Sequence, residues 1–380
     1  MNPFDLPIKR IEELVEEHGT PLYIVSKSKL IENFNRLNNA LPAANLFYAV
    51  KANPHEGILE ILHEAGADFD VASKGEIIAA IKAGANPEKD LIFADTVKIP
   101  KQIAFADGVG VDDFTYDNES EIIKLAKHAP NAKVHLRIAV SNKGSVAQLS
   151  KKFGAKPEDA MYLLEKAKKA GLRPDGISFH VGSQCLDSSR YVEALNTTKE
   201  IFVEAEKRGM KLNQVDIGGG FPVKYINEEI NIEKMCEIIT STYNKLFDES
   251  VRLVAEPGRS IVGDAMISVT EVVGESVRND KNWLYLDDGL FGSFLEVFLY
   301  NMKFPMKTNT TGPLNKYILA GPTCDCIDVI SRDENGKECE VELPKMKMYD
   351  LLIAGSMGAY TFSESTRFNG HEPPKFVYIE

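Results

Sequence analysis

The sequence predicts an α/β protein, a TIM-like (β/α)8 barrel followed by a C-terminal all-β domain. Three observations lead to this prediction. Eight short, apolar, β-branched segments alternate with helical stretches between residues 46 and 255, which is the order of elements in such a barrel. No G-x-G-x-x-G turn follows the first segment, which disfavours a doubly wound dinucleotide-binding sheet. After residue 263, strand-like segments separated by turn residues replace the helices.

The predicted barrel strands are short apolar runs bounded by turn residues, at 46–50, 69–72, 91–94, 110–116, 133–140, 176–181, 214–217 and 252–255. Apolar residues at helical spacing predict helices between them, at 57–65, 74–83, 120–127, 157–170, 188–208 and 232–247. Glycine closes several of these helices, as the residue preferred just past a helix C-terminus, at Gly66, Gly84, Gly171 and Gly209.

The second domain is predicted from strands at 266–273, 283–287, 317–319, 338–343, 348–354 and 375–379. A further strand at 21–25 precedes the first barrel strand by a whole helix, 28–41, so we assign it to the same β domain. We therefore expect a barrel domain over 28–263 and a β domain made of 1–27 and 264–380.

Charge, hydropathy and cysteine content exclude several classes of partner and site. The net charge of −12 argues against nucleic acid or anionic membrane as a partner and mildly favours cationic ligands. No segment is long and apolar enough to span a bilayer, and five cysteines without close pairing fit a reducing cytoplasm. Cys324 and Cys326 form C-x-C, which is not a zinc spacing, so we expect no metal site.

Polar side chains stand at or near the ends of six predicted barrel strands, namely Lys51, Asp70, Arg137, His180, Asp216 and Glu256. A lone lysine at a strand end usually extends its amine to water. Catalytic groups of a barrel, however, lie at the carboxyl ends of its strands. Six such coincidences therefore predict one site at that rim.

The residue types at this rim suggest pyridoxal 5′-phosphate. Gly218, Gly219 and Gly220 can present backbone N–H groups to an anion, and Arg259 can add a cation. The loops after barrel strands seven and eight commonly bind phosphate. Lys51 would bind the aldehyde, and Glu256 would keep the pyridine nitrogen protonated, so that the ring accepts electrons fully.

The chain resembles the alanine-racemase-fold (group IV) decarboxylases that use pyridoxal phosphate, specifically the ornithine/lysine decarboxylase branch, over nearly its whole length. The matching segments are Tyr48–Asn53, Phe69–Ser73, Leu149–Gly154, His180–Ser183, Asp216–Pro222, Glu256–Arg259, Gly321–Asp325, Gly358–Thr361 and Phe368–Gly370.

The resemblance implies roles for matching residues. Lys51 resembles the Schiff-base lysine, His180 the histidine that stacks on the ring, and Glu256 the partner of the pyridinium. The implied phosphate contacts are Ser183, Gly218, Gly219, Gly220, Arg259 and Tyr360. Three further residues are similar to those that hold the ring and the lysine, namely Asp70, Glu76 and Arg137.

Two residues of the β domain complete the implied site. Cys324 resembles the general acid that returns a proton to Cα, a role that a thiol can perform at neutral pH. Asp325 resembles the carboxylate that contacts the substrate's distal ammonium. Because this Cys-Asp pair reaches the neighbouring subunit's site in the family, the resemblance implies a homodimer with shared active sites.

One departure bears on the substrate. Eukaryotic-type members carry an aspartate for the distal amine where this chain has Tyr300, followed by Asn301. The carboxylate in that segment is Glu296, which on a helix lies one turn earlier. Glu296 is therefore a candidate substrate contact.

The resemblance implies α-decarboxylation of a basic L-amino acid, first L-ornithine to putrescine and second L-lysine to cadaverine, in polyamine biosynthesis. The alternatives are decarboxylation of arginine, diaminopimelate or carboxynorspermidine, and a catalytically silent polyamine-regulatory homologue. Amino-acid racemization on the same fold is disfavoured, because racemases of this type set an arginine where this chain has Glu256.

Overall fold

A computed structural model describes residues 1–147, 151–226 and 228–380. The chain divides into two compact units. We call Ile31–Pro222 with Ile230–Ile261 the barrel unit. We call Met1–Leu30, Val223–Glu229 and Val262–Glu380 the β unit. The first part of the predicted motif Leu149–Gly154 lies outside the described residues.

The described residues form the following α-helices: α1 (Ile8–His18), α2 (Lys27–Ala40), α3 (Glu56–Glu64), α4 (Lys74–Lys82), α5 (Pro87–Asp90), α6 (Pro100–Gly108), α7 (Glu119–His128), α8 (Ala160–Lys169), α9 (Ser189–Lys207), α10 (Ile232–Leu246), α11 (Arg259–Val262) and α12 (Leu295–Tyr300). Short 3-10 helices cover Pro3–Asp5, Val50–Ala52, Pro157–Asp159, Gly263–Ala265 and Phe368–Gly370.

The strands of the same residues are β1 (Leu22–Ser26), β2 (Ala44–Ala49), β3 (Asp68–Val71), β4 (Leu91–Phe93), β5 (Asp113–Tyr116), β6 (Lys133–Arg137), β7 (Ser145–Ala147), β8 (Arg173–Ser178), β9 (Ser183–Cys185), β10 (Gln214–Asp216), β11 (Arg252–Ala255), β12 (Met266–Arg278), β13 (Lys281–Leu286), β14 (Met306–Thr308), β15 (Leu314–Ala320), β16 (Val341–Pro344), β17 (Leu351–Ala354) and β18 (Lys375–Ile379).

The barrel unit contains a closed parallel barrel in the order β10-β11-β2-β3-β4-β5-β6-β8. All eight predicted barrel strands are present, which confirms the predicted fold class. The first strand lies slightly earlier in the chain than the predicted 46–50, because it covers Ala44–Ala49 and Lys51 lies in the 3-10 turn Val50–Ala52. The predicted helices are present, and α6 is an additional one that starts at Pro100, a residue well suited to the first turn.

Alternation along the strands determines which side chains enter the barrel, because paired residues of parallel strands share a face. The register pairs Ala49 with Asp70, Arg137 with Ser178, and Ser178 with Asp216. Asp70, Arg137, Ser178 and Asp216 thus form a polar layer at the carboxyl ends of the strands, which we call the rim. A buried apolar cluster belongs to the same unit and consists of Phe47, Ile92, Ala94 and Val254.

The amino ends of the barrel strands carry a second group of polar side chains, which we call the base. It consists of Asn45, Asp113, Lys133, His135, Gln214 and Arg252. His135 and Asp113 form a buried ion pair, and Lys133 Nζ lies 3.6 Å from Asp113 Oδ2. Arg252 donates to Asn45 Oδ1 at 2.9 Å and to Gln214 Oε1 at 3.3 Å.

The β unit is built on an eight-stranded sheet whose main path is β14-β17-β12-β13-β15-β16, with β1 pairing to β12 and β18. The predicted strand 21–25 is thus a member of this sheet, as expected from its position. Helix α1 contributes Ile11 and Leu14 to a core cluster with Ile24, Ile267 and Ile353. Across the described ranges, no helix is long and apolar enough to cross a membrane.

Candidate active site

Lys51 and Asp70 form an ion pair at the rim of the barrel. Strand β2 ends at Ala49, and the 3-10 turn that follows directs Lys51 towards the end of neighbouring strand β3. The Lys51 side chain is 41% exposed, whereas the Asp70 side chain is 1% exposed. The amine therefore lies at the boundary between a buried carboxylate and the open mouth of the barrel.

Asp70 has bonding capacity beyond this ion pair. Its Oδ2 accepts from Lys51, while its buried Oδ1 has no hydrogen-bond partner among the described residues. A buried acceptor without a donor is costly, unless the functional state supplies one. Asp70 can thus receive one further donor.

Glu76 lies behind this pair in the first turn of α4. Its backbone N–H donates to Ser73 Oγ at 3.2 Å, and its Oε2 accepts from Ala72 N at 2.7 Å, which stabilises the start of the helix. Burial raises the pKa of Glu76 to about 7, although the Ala72 N–H and the Lys51 charge oppose that rise.

Glu256 and Asp216 form a buried carboxyl pair that shares a hydrogen bond. Burial raises the pKa of Glu256 well above its usual range, and the neighbouring Asp216 raises it further. Burial also raises the pKa of Asp216 to about 6, even though its Oδ1 accepts from Gly218 N at 2.8 Å. Two adjacent buried carboxyls cannot both ionise cheaply, so the pair holds a proton until a cation is placed beside it.

His180 is neutral at this site. Burial lowers its pKa well below the ordinary histidine value, and the charges of Arg137 and Lys51 lower it further. Its Nδ1 accepts from Gly182 N at 2.9 Å, so the proton of the neutral ring is on Nε2. Asn142 Nδ2 donates to the His180 carbonyl at 3.0 Å and holds the backbone below the ring.

The three glycines after β10 lie against neighbouring backbone so closely that no side chain fits. A β-carbon on Gly218 would lie 2.3 Å from Phe179 O, one on Gly219 2.6 Å from Glu256 O, and one on Gly220 2.5 Å from Gly182 O. Gly218 and Gly220 also have φ values of +63° and +106°, a region that favours glycine. Successive amides in such a turn form a concave anion-binding surface.

Arg259 and Ser183 lie together at the rim. Arg259 is 5% exposed, and its Nε donates to Ser183 Oγ at 3.1 Å. Tyr191 OH donates to Gly219 O at 2.9 Å and supports the glycine turn. Tyr191 and Asn142 could not be predicted as part of the site, because both contacts join segments that are separated in the chain.

Arg137 ends β6, and its guanidinium carbon lies 5.2 Å from the centre of the Phe153 ring. The barrel unit thus brings together at its rim the predicted residues Lys51, Asp70, Glu76, Arg137, His180, Ser183, Gly218, Gly219, Gly220, Glu256 and Arg259.

The remaining predicted residues belong to the β unit. Cys324 is exposed and Asp325 is half-buried, in the loop that follows β15. Tyr360 is also half-buried and has a φ of +58°. In α12, Glu296 is 2% exposed, whereas Tyr300, one turn later, is 39% exposed. Asn301 ends this helix in a left-handed conformation.

The model of the "pyridoxal-dependent decarboxylase, pyridoxal binding domain" family matches residues 27–263. The chain belongs to the pyridoxal-dependent decarboxylases. Members of this family are enzymes that use pyridoxal 5′-phosphate as their cofactor. The family is the one that the sequence resembles. Within the described ranges, no cluster of His, Cys, Asp and Glu side chains is arranged to hold a metal ion.

Relatives and solved structures cover nearly all of this family member. A lysine/ornithine decarboxylase from Selenomonas ruminantium is 39% identical, over 97% of this chain and 92% of that protein. An antizyme inhibitor 2 from Xenopus laevis is 36% identical, over 98% of this chain and 84% of that protein. The structure of a lysine/ornithine decarboxylase complexed with putrescine from Vibrio vulnificus superimposes with a TM-score of 0.90 and 35% identity, covering 98% of each chain.

Proposed function

We propose that this chain decarboxylates a basic L-amino acid, L-ornithine to putrescine in the first place and L-lysine to cadaverine in the second. The observation that carries the proposal is the buried Glu256–Asp216 carboxyl pair at the same rim as Lys51. A carboxylate pair suits a protonated pyridine nitrogen, and a protonated ring is the strong electron sink that decarboxylation needs. The named substrates of the Selenomonas ruminantium and Vibrio vulnificus relatives support the choice of a basic amino acid.

The residues of the rim fit pyridoxal phosphate in three respects. The glycine turn Gly218–Gly220 and the Arg259 side chain suit a phosphate, and Ser183 adds a hydroxyl beside them. Burial raises the pKa values of the Glu256–Asp216 pair, and a pyridinium N–H would supply the further positive charge that lets the pair ionise. Asp70 Oδ1 is a buried acceptor with no donor among the described residues, so a bound group could supply the missing hydrogen bond.

When bound, the cofactor supplies the electron sink for the bond between Cα and the carboxylate. Lys51 would hold the aldehyde of the cofactor through its amine. Asp70 pairs with the Lys51 amine and keeps it at the rim. Arg137 adds positive charge on the same side, and Glu76 supports the Asp70 end of the site.

His180 presents a neutral, flat face at the rim. Because its Nδ1 is occupied by the Gly182 amide, the ring cannot turn without losing that bond. A neutral ring also avoids placing a second positive charge beside Lys51 and Arg137. We propose that His180 stacks on the cofactor ring and excludes water from that side.

The β unit completes the proposal. Cys324 returns a proton to Cα after carbon dioxide leaves, and Asp325 binds the distal ammonium of the substrate. Tyr360 contributes a hydroxyl to the phosphate. We propose that these residues act in a homodimer, in which the pair Cys324–Asp325 serves the partner's site. Glu296 remains a proposed substrate contact. Because its side chain is buried, the substrate's distal ammonium would have to reach it inside the protein.

A catalytically silent regulator is the second candidate, because antizyme inhibitor 2 is among the similar proteins. The retained rim residues disfavour it. An absorption spectrum of purified protein separates the two, since an active enzyme carries a lysine-bound cofactor. We further expect the protein to act in the cytoplasm, in polyamine biosynthesis.

The deciding experiment is product analysis by mass spectrometry with the cofactor-loaded enzyme. The substrates are L-ornithine, L-lysine, L-arginine, meso-diaminopimelate and carboxynorspermidine, each supplied alone. Putrescine or cadaverine as the main product supports the proposal, and the Lys51→Ala variant provides the blank. Product from arginine, diaminopimelate or carboxynorspermidine alone contradicts the substrate assignment, and bound cofactor with no product from any of them contradicts the activity.

A further inference from the structure

The loop that carries Cys324 is held in place by the carboxylate of Asp328, a residue for which the sequence predicted no role. Gly321 N donates to Asp328 O at 2.8 Å, and Asp328 N donates to Asp325 O at 3.2 Å, so the segment 321–328 closes on itself. The Asp328 side chain is directed into this closed loop and is 3% exposed. A carboxylate in that position must be satisfied by donors of the surrounding backbone.

Asp328 accepts three hydrogen bonds from two different segments of the β unit. Its Oδ2 accepts from Thr323 N at 3.2 Å and from Thr323 Oγ1 at 2.6 Å. Its Oδ1 accepts from Leu290 N at 2.7 Å. One side chain therefore links the residue before Cys324 to the loop after β13, with charge-assisted bonds that are stronger than neutral ones.

The two glycines beside this carboxylate show how closely the backbone approaches it. A β-carbon on Gly289 would lie 2.2 Å from Asp328 Oδ1, and one on Gly321 would lie 2.4 Å from the same atom. Neither distance is compatible with a side chain. The carboxylate is thus enclosed by main chain on both sides, which leaves it little freedom to move.

A second side chain holds the backbone at Cys324 itself. Asn369 Oδ1 accepts from Cys324 N at 2.9 Å. Asn369 follows Phe368, whose ring centre lies 4.6 Å from that of Phe291. Thr366 N donates to Phe291 O at 2.8 Å, so the segment that presents Asn369 is itself tied to the loop after β13.

We propose that Asp328 and Asn369 are positioning residues that set the direction of the Cys324 thiol. Together they hold two consecutive peptide N–H groups, those of Thr323 and Cys324, and so determine where the Cys324 side chain leaves the backbone. The inference rests on the proposed function, in which this thiol returns a proton to Cα. Small displacements of a catalytic group weaken catalysis steeply.

The consequence of a misplaced thiol can be read in the product balance. In normal turnover one carbon dioxide leaves, one proton is added to Cα, and one diamine is released. If the proton were delivered away from Cα, water would replace the α-nitrogen on that carbon, so an aminoaldehyde would leave in place of the diamine and the nitrogen would be retained in the site. Carbon dioxide then exceeds diamine, and a loss of folding stability alone does not change this ratio.

The test compares the holoenzyme variants Asp328→Asn and Asn369→Ala with the wild type. Asn369→Asp keeps an acceptor at the same place and serves as the conservative rescue. Asp288→Asn is the matched control, because Asp288 is also a buried carboxyl of the β unit but accepts from Gly289 N at 2.8 Å and Ser293 N at 3.0 Å. Asn369 is exposed, so its variants test the inference even if Asp328→Asn fails to fold.

Two measurements are made on each variant, the ratio of carbon dioxide to diamine and hydrogen exchange of the peptide containing Thr323 and Cys324. For Asp328→Asn and Asn369→Ala we expect about tenfold faster exchange and a kcat reduced about 10- to 100-fold, with an excess of carbon dioxide. Asn369→Asp and Asp288→Asn should stay near the wild-type ratio.

An unchanged product ratio in both test variants would overturn the inference, whether or not exchange becomes faster. An equally raised ratio of carbon dioxide to diamine in Asp288→Asn and Asp328→Asn would also overturn it, since the loss of any buried carboxyl in the β unit would then have the same effect. If the wild type releases no carbon dioxide from any substrate, the proposed function fails and the positioning role fails with it. Exchange in the variants then still reports whether the two side chains hold the loop.

Discussion

The rim and the base of the barrel both contain buried charges, but the pKa of Asp113 at the base is shifted in the opposite direction from those of three rim carboxyls. At the base, burial alone would raise the pKa of Asp113, yet the His135 charge beside it lowers that pKa, with Lys133 and Arg252 contributing in the same direction. At the rim, burial and like charge raise the pKa of Glu256, Asp216 and Glu76. The base carries its own counter-charges, and the rim has fewer than its carboxyls need.

This difference suggests that the charged residues of the base stabilise the fold, whereas those of the rim serve ligand binding. Removing one partner of a buried ion pair within the same chain leaves an uncompensated charge and destabilises the folded state. A carboxyl pair without a paired cation lowers the stability of that state, and becomes favourable only when a ligand supplies the positive charge. The comparison therefore predicts that mutations at the two ends affect different quantities.

The strongest test of the rim is removal of Lys51. For Lys51→Ala we expect kcat to fall on the order of 10⁴-fold, since a covalent contact is lost. The absorbance of the lysine-bound cofactor should disappear, which is measured on the protein reconstituted with pyridoxal phosphate. A variant that keeps this absorbance would show that another residue binds the aldehyde.

At the base we expect a loss of stability with little change in catalysis. Asp113→Asn leaves His135 buried without its partner, which should lower the free energy of unfolding by about 3–5 kcal/mol. Urea unfolding measures this loss, and the folded variant should keep its kcat within about twofold. Asp112→Asn is the control, because Asp112 pairs with Arg173 on the surface and should contribute no more than about 1 kcal/mol. A large loss of kcat in Asp113→Asn would contradict the separation of the two ends.

For Glu256→Gln at the rim we expect the reverse of Asp113→Asn, namely lower activity together with higher stability. The amide preserves the shape of the side chain but cannot pair with a cationic ring nitrogen, so we expect kcat/KM to fall about 10²- to 10³-fold. Removal of an acidic group from the buried pair should at the same time stabilise the cofactor-free protein. Steady-state kinetics and urea unfolding on the same preparation give both numbers, and a variant that loses stability as well as activity would refute this assignment.

The smallest expected effect is a pH dependence. A carboxyl whose pKa is raised on folding binds its proton more tightly in the folded state than in the unfolded state. Stability of the cofactor-free protein should therefore decrease as pH rises from about 4, the usual range of these groups, to about 7. Asp216 and Glu76, with pKa values of about 6 and about 7, define that window.

Unfolding free energies at pH 5.0 and pH 7.5 measure the effect. We expect Glu256→Gln to be more stable than the wild type by about 1–3 kcal/mol at pH 7.5, and by less at pH 5.0. The His135 pair has its own signature, since a raised histidine pKa stabilises the folded state below pH 6.5 and loses that contribution as pH rises through the folded-state value. Equal differences at the two pH values would mean that the rim carboxyls do not titrate as described.

Periodicity was sufficient to predict the eight barrel strands and most of the helices between them, because each is a local pattern of apolar residues. Strand ends then identified Lys51, Asp70 and Glu256 as members of one rim. The hydrogen bond between Glu256 and Asp216 was not predictable, because it depends on the register of two strands. Helix α6 was missed because it is short and weakly amphipathic, with Ile103 and Ala106 as its buried residues.

The base and the Cys324 loop illustrate the same limit. His135 stands inside an apolar strand, and its partner Asp113 starts a different strand, so neither residue alone signals a pair. No sequence pattern singles out Asp328, and the hydrogen bond that it accepts from Leu290 N reaches a segment that lies far from it in the chain. Glu296 was predicted as a substrate contact from helical spacing, and the structure adds that this side chain is buried.

The glycine turn Gly218–Gly220 has a consequence for how this enzyme can diversify. Each of its three positions would bring a β-carbon within 2.6 Å of a carbonyl oxygen, so none of the other nineteen amino acids can be accommodated without moving the rim. If this turn holds the phosphate as proposed, evolutionary change of substrate cannot proceed through this end of the site. It has to proceed through residues that tolerate replacement, such as the exposed Tyr300, and these are the positions at which a library selected for new amino acids should be randomised.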